Sequence, residues 1–258
     1  MRQVPATGPA SARTPYGFIG DGRVSRHLRH YFSSLGIPWR LWSRRLARAS
    51  GTGEMKPSQA LANCNLILLA VSDDAIGPVL DRLLAEGLRD RIFVHFCGGQ
   101  SFAGAWGVHP LMSFSAGLYA PEFYRGIPMF VEASAEWPDP VTRFHVLFPE
   151  LPNPCFRLAK QDKAHYHALC SLAGGMTAVV WREFFAALTT RFQVPREALS
   201  AFPRRVIENI VESPDSALTG PVARGDTGTI VAHLEALEGT PLRAVYQAFI
   251  AAAGPGQS

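Results

Sequence analysis

The sequence has little that would tie it to a metal, a membrane or nucleic acid. Its four cysteines, Cys64, Cys97, Cys155 and Cys170, stand apart without Cys-x-x-Cys spacing. That excludes a zinc framework and reads as free thiols in a reducing, cytoplasmic setting, with no metal site expected. No apolar run is long enough to span a bilayer, and no secretory core appears near the start. Walker lysine, Gly-x-Ser-x-Gly elbow and internal repeat are all missing. Dense Lys/Arg runs are missing too, so the formal charge of +4 suits an anionic small molecule better than a nucleic acid. What remains is 258 residues, 47% hydrophobic, enough to fill one large domain or two modest ones. Residues 1–15 read as a flexible tail.

The distinctive stretch is Tyr16 to Arg45. A strand-like run, Tyr16 to Ile19, passes straight into Gly20-Asp21-Gly22, and Val24, Leu28, Tyr31, Phe32 and Leu35 then recur at helical spacing. Gly36 marks the helix end, and Pro38 to Trp42 reads as a second strand, closing a βαβ unit. A strand turning tightly into a helix aims free N–H groups, and the positive end of the helix dipole, at whatever lies above the turn. A dinucleotide pyrophosphate suits that place. Gly20 permits the turn, Gly22 allows close approach, and Asp21, Arg23 and Val24 complete the expected contact set. Ser25 replaces the third glycine of the pattern. The alternative is a glycine turn of any α/β protein.

The end of the second strand discriminates between nucleotides. A carboxylate there binds ribose hydroxyls; this chain has Ser43-Arg44-Arg45 with no acid beside them in sequence. A hydroxyl and guanidinium groups suit a 2′-phosphate, so NADP is expected over NAD. Alternatively the arginines only begin a helix.

Downstream, Asn65 to Val71 is a continuous apolar run, as in a parallel strand buried on both faces. Val71, Ser72 and Asp73 follow at its carboxyl end, the side where α/β ligands bind; Asp73 doubles as a candidate helix N-cap. Arg91 to Phe96 is the next strand, running into Cys97-Gly98-Gly99, with Gly98 a further cofactor-side candidate. Ile127 to Glu132 and Cys155 to Ala159 are the later strands. From Gln161 the pattern is helical only, including a long segment, Ala164 to Phe192, interrupted at Gly174-Gly175. Thr240 and Pro241 read as N-cap and first residue of the last helix. The fold class is therefore α/β: a doubly wound, mostly parallel sheet over residues 16–160, then a helical domain over 161–258.

Histidines supply the acid/base candidates. His109 lies in a Gly-Val-His-Pro turn on the expected cofactor side, where Pro110 restricts its backbone. A structural histidine is the alternative. His165 and His167 open the long helix pointing different ways, so one of them can reach the cleft; His167 is taken as the second candidate. The Leu218–Asp226 stretch, LTGPVARGD, is loop chemistry carrying Thr219 and Arg224 as substrate-binding candidates; Asp226 reads as an N-cap.

Taken together, the Gly20 turn, His95 with Gly98, His109-Pro110-Leu111, Tyr166-His167 and LTGPVARGD before His233 resemble the Rossmann-like and DUF2520-domain proteins. These are similar to pyrroline-5-carboxylate reductase, ketopantoate reductase and the wider 6-phosphogluconate dehydrogenase-like group. The resemblance implies an N-terminal Rossmann domain holding NADP, and a helical C-terminal domain for substrate and for homodimer formation. It also implies hydride transfer between NADP(H) and a small carbonyl, imine, or hydroxy or amino acid compound. The His-Pro turn is similar to one in prephenate dehydrogenases, where the histidine contacts the reacting oxygen. Ser25 and Gly174-Gly175 depart from the pattern, Ser-Asn being expected at the latter. That departure points to the alternative of an inactive or weakly active NADP(H)-binding sensor or partner protein.

Overall fold

Short apolar runs build the centre of the protein. In the computed structural model, which describes residues 14–49 and 55–254, Leu66–Leu69 is buried throughout and forms β3. Around it lie β1 (Tyr16–Ile19), β2 (Trp39–Trp42), β4 (Ile92–His95), β5 (Trp106–Pro110), β6 (Met129–Ala133) and β7 (Cys155–Ala159). They form a seven-stranded sheet in the order β2-β1-β3-β4-β5-β6-β7. β1 to β5 are parallel, β6 meets β5 antiparallel, and β7 runs parallel to β6.

Alternation along the strands separates two cores. Phe18, Leu68, Val94, Trp106 and Val108 pack on one face with Leu28, Tyr31 and Phe32 of α1 (Arg23–Ser34). Ile19, Ile67, Leu69 and Phe93 face the other side, against Ile76, Leu80 and Leu83 of α4 (Asp73–Ala85). Between them in sequence come α2 (Arg44–Ala49) and α3 (Pro57–Ala60), and later α5 (Pro121–Arg125), α6 (Pro140–Leu147) and α7 (Lys163–Cys170). Helices on both faces of a mostly parallel sheet are the doubly wound arrangement expected from sequence.

The chain divides into two compact units, residues 1–177 and 178–258. α7, which the sequence pattern groups with the helical region, lies in the first unit. The segment expected to break at Gly174-Gly175 does not break: Ser171–Met176 forms a π turn that leads directly into α8 (Thr177–Thr190). A π turn takes up residues that do not fit the α repeat while keeping the backbone bonded. The second unit also contains α9 (Ala201–Glu212), α10 (Pro221–Arg224), α11 (Thr227–Ala236) and α12 (Leu242–Ala253). Only Leu199 and Val222 are buried among its described residues. No helix among the described residues is long and apolar enough to cross a membrane.

Several boundaries differ from expectation. Ser72, not Asp73, is the N-cap of α4. Pro241 stands at the N-cap of α12 because the Thr240 hydroxyl donates to the Leu237 carbonyl of the preceding turn. All but two residues of the tail expected at 1–15 fall outside the described residues.

Candidate active site

The turn after β1 opens a cleft of about 1170 Å³ at the carboxyl ends of the central strands. Gly20 has φ +99°, and a Cβ there would lie 2.3 Å from the carbonyl oxygen of Ala70. Only glycine tolerates both conditions. Gly22 is the N-cap of α1 and offers no side chain to its free N–H groups. A Cβ on Gly22 would meet nothing within 4 Å, so nothing inside the protein demands glycine there. Ser25 is fully buried and accepts a hydrogen bond from Arg29 Nε at 3.2 Å, so it fills the packing position of the third glycine.

Gly20, Asp21, Gly22, Arg23, Val24, Ser43, Arg44, Arg45, Val71, Ser72 and Asp73 all line this cleft. Gly98 does not. Arg23, Arg44, Arg45, Arg48 and Arg82 bring positive charge to the wall against the carboxylates of Asp21 and Asp73. One expectation needs correcting. The arginines after β2 do have an acid beside them, supplied by the glycine turn itself: Arg45 Nε donates to Asp21 Oδ2 at 2.7 Å, and Ser43 Oγ donates to the same oxygen at 3.1 Å. Burial works to raise the Asp21 carboxyl, but these bonds outweigh it and hold it below the usual carboxylate value. The Ser43 hydroxyl also accepts from Leu46 N at 3.2 Å, so the arginines do begin a helix, as the alternative reading had it.

The second cluster stands on the α4 and α7 side of the sheet. His109 is not in a turn but inside β5, opposite Phe130 of β6. Its Nδ1 lies 2.8 Å from the Tyr166 hydroxyl. Of the two helix histidines, His167 is the one that meets it, with ring centroids 5.5 Å apart and nearly perpendicular. Both rings rest on Gly98: a Cβ there would lie 2.7 Å from His167 Cδ2 and 2.9 Å from His109 Nε2. Gly98 therefore serves the histidines rather than the cleft wall. Phe96 lines the cleft two residues before it, and Asp73 on the wall raises the Cys97 thiol through a hydrogen bond, though less than burial does.

Burial first, and then the charges of His167 and Lys163, push the His109 pKa down to about 4. It is neutral near pH 7 rather than poised to titrate there. Tyr166 is pushed up by burial and by Cys170, so its hydroxyl keeps its proton. That hydroxyl can donate to Nδ1, which places the imidazole proton on Nε2, toward Gly98.

Sequence reasoning missed a third group. Lys163 Nζ and Glu132 Oε2 form a buried pair at 2.7 Å, and His95 beside them is fully buried with neither ring nitrogen hydrogen-bonded. Burial and Lys163 push His95 down to about 3. The available signals were a lone glutamate in the apolar β6 and a glycine inside β5.

These depressed histidines give a pH prediction. A group whose folded pKa lies below its unfolded value near 6.5 resists protonation in the fold, so stability is full above about 6.5 and falls as acid is added. The window runs from about 6.5 to 4 for His109 and on to about 3 for His95. Each should cost about 1.4 kcal/mol per pH unit within its window. Urea midpoints measured from pH 7.5 to 4.5 should fall steadily, and His95→Phe should flatten the slope. A midpoint constant over that range would show that these histidines titrate normally.

In the second unit, Arg224 Nη2 and Nε donate to Asp226 Oδ2 at 2.7 and 3.1 Å. The carboxylate of Asp226 is occupied there and caps no N–H, although the residue stands at the N-cap position of α11. Gly220 and Gly225, both at positive φ, frame this turn, and Thr219 before it is exposed.

Residues 127–253 match the family described as Domain of unknown function (DUF2520). No curated protein matches the chain. Among solved structures, "putative NADP oxidoreductase BF3122" from Bacteroides fragilis is 19% identical, with 93% of this chain and 97% of that one covered and a TM-score of 0.72. Protein TM1727 from Thermotoga maritima is 21% identical over 92% and 96%, with a TM-score of 0.63. The imine reductase from Myxococcus stipitatus, solved in complex with NADP+, is 17% identical over 93% and 92%, with a TM-score of 0.58. Residues 127–253 thus carry the DUF2520 domain, and the chain as a whole shares the Rossmann-like fold of these solved structures.

Proposed function

We propose that the protein is an NADP-dependent oxidoreductase acting on a small carbonyl or imine compound, or on the hydroxy or amino acid formed by its reduction. The observation that carries this reading is the seating of two imidazoles on Gly98 beside an arginine-rimmed cleft. The neighbours described as an NADP oxidoreductase and as an imine reductase with NADP+ support it.

The free N–H groups of the Gly20–Val24 turn would hold the pyrophosphate, with Arg23 beside them. Arg44 would meet the 2′-phosphate, joined by Ser43 and Arg45 once Asp21 gives them up. Val71, Ser72 and Asp73 form the opposite wall. When bound, the cofactor supplies the hydride. As negative charge develops on the substrate oxygen or nitrogen, neutral His109 donates a hydrogen bond through Nε2–H and His167 delivers the proton. Thr219 and Arg224 are proposed to bind substrate, Arg224 on exchanging Asp226 for a substrate carboxylate.

Fluorescence titration with NADPH and NADH tests the cofactor. NADPH should bind at least tenfold tighter, and Arg44→Ala should remove most of that difference. Equal or tighter NADH binding refutes the NADP assignment. A panel of keto acids, imines and hydroxy acids, run beside His109→Ala, tests the chemistry.

A second reading is a nucleotide-binding sensor without turnover. The exposed Gly174-Gly175 pair favours it, because nothing lies within 4 Å of where either Cβ would be and neither glycine offers a polar side chain. Tight NADPH binding with no His109-dependent oxidation on any compound would establish it.

We also propose a homodimer in a reducing, cytoplasmic setting, with the second copy covering the helical unit. Val179, Val180, Phe202, Ile207 and Ile210 are all more than a third exposed there. A monomer by light scattering at micromolar concentration would refute it.

A further inference from the structure

The reductase reading leaves one group without a role: the charges buried beneath the histidines. Lys163 is 2% exposed, Glu132 7% and His95 not at all. Removing two charges from water is expensive, and a buried pair is often no more stabilising than well-packed apolar side chains. Its presence needs a reason beyond packing.

Position supplies one. Gly107 pairs with His95 across β4 and β5. A Cβ on Gly107 would lie 2.6 Å from both Glu132 Oε2 and Lys163 Nζ, and 3.2 Å from His95 Cε1. Any side chain at that position would break the pair. Gly107 and His109 are two residues apart on one strand, so they share a face of the sheet. The ammonium thus lies over the strand position next to His109 on the same face, one two-residue step of about 7 Å along the backbone. On α7, Lys163 also precedes His167 by four residues, one turn of the same helix.

We propose that the Lys163–Glu132 pair, seated over Gly107, is a positioning element that keeps the His109 imidazole in its neutral, hydrogen-bond-donating form. The other groups facing His109 are few. His167 and Tyr166 come from α7, with Cys170 beyond the tyrosine, Asp73 comes from α4, and Phe130 from β6. Of these, the Asp73 carboxylate favours a charged His109, whereas His167 and Lys163 oppose it. Lys163 is the fixed member, because Glu132 holds it. His95 has no charge to offer in exchange, since burial and the same ammonium keep it neutral. A unit charge at about that spacing, with an effective dielectric constant of about 20, moves a pKa by about 1.7 units, and this adds to the larger effect of burial. Glu132 gives back part of this while fixing where the ammonium sits.

The inference rests on His109 as the group that meets the substrate, but its test reads the imidazole itself and needs no substrate. The His109 ring is followed by heteronuclear NMR against pH in the full chain, and assigned through His109→Gln. In the wild type it should stay neutral below pH 5; a midpoint near 6.5 overturns the proposal. Lys163→Met should raise the midpoint by about one pH unit, tenfold in the proton equilibrium, and the double variant Lys163→Met/Glu132→Gln should raise it by a smaller amount, because the opposing carboxylate goes too. Glu132→Gln alone, which keeps the ammonium and removes its counter-ion, should leave the midpoint unchanged or lower. A purely structural pair would lower stability in all three variants and leave the His109 midpoint within about 0.3 unit, which overturns the assignment. If Lys163→Met fails to fold because it strands the Glu132 carboxylate, the double variant, which leaves no unpaired charge, carries the test.

Discussion

Gly98→Ala is expected to abolish turnover while sparing the cofactor. The new methyl group would sit 2.7 Å from His167 and 2.8 Å from His109, so both rings must move. A displacement of about 1 Å at a reacting centre costs roughly 100-fold in rate, and here both proposed proton-handling groups shift together. We expect kcat/KM to fall at least about 100-fold, with NADPH affinity within about threefold of wild type because Gly98 does not line the cleft. The stability loss should be that of an overpacked site, about 1–3 kcal/mol. Steady-state rates on the best substrate of the panel, beside fluorescence titration, provide the check. Activity within threefold of wild type would remove the two histidines from the reacting centre.

Gly20→Ala should be the more damaging change to the molecule itself. Alanine at φ +99° is strained, and its Cβ would approach the Ala70 carbonyl oxygen to 2.3 Å, forcing β1 and β3 apart where they leave the sheet. Strain and collision together should cost about 3 kcal/mol or more, a fall of roughly 10 °C in Tm for a protein of this size. NADPH binding should weaken by at least about 100-fold. Gly22→Ala is the matching control. Its φ of −67° suits alanine and its surroundings are open, so Tm should hold while NADPH affinity falls. If Gly22→Ala binds NADPH as well as wild type does, the pyrophosphate does not lie against this turn.

That contrast shows where the sequence is informative. The β1–α1–β2 unit is legible because its signals are local: a glycine that a strand-to-helix turn requires, and apolar residues at helical spacing. The Asp21–Arg45 bond is not legible, because 24 residues separate its partners and only the parallel register of β1 and β2 brings them together. His109 reads as a turn residue because proline follows it. The structure keeps it in a strand because Pro110 is the last residue of β5 and needs no further ladder bond. Lys163 reads as an ordinary solvated charge at a helix start. Only the missing side chain of Gly107, on a strand far away in sequence, makes room to bury it. The pairing of Arg224 with Asp226 is within reach of the sequence, since both residues lie in one short loop.

The helical unit carries one more consequence. With only Leu199 and Val222 buried among its described residues, it has almost no interior from which to draw stability. A cover over its helices would act as a ligand of the folded state and contribute to stability by mass action. If that cover is a second copy, melting is a bimolecular event, and the melting temperature rises with each dilution step reversed. Under those terms no single Tm describes the protein, and any variant in α8, α9, α11 or α12 must be compared with wild type at one chain concentration.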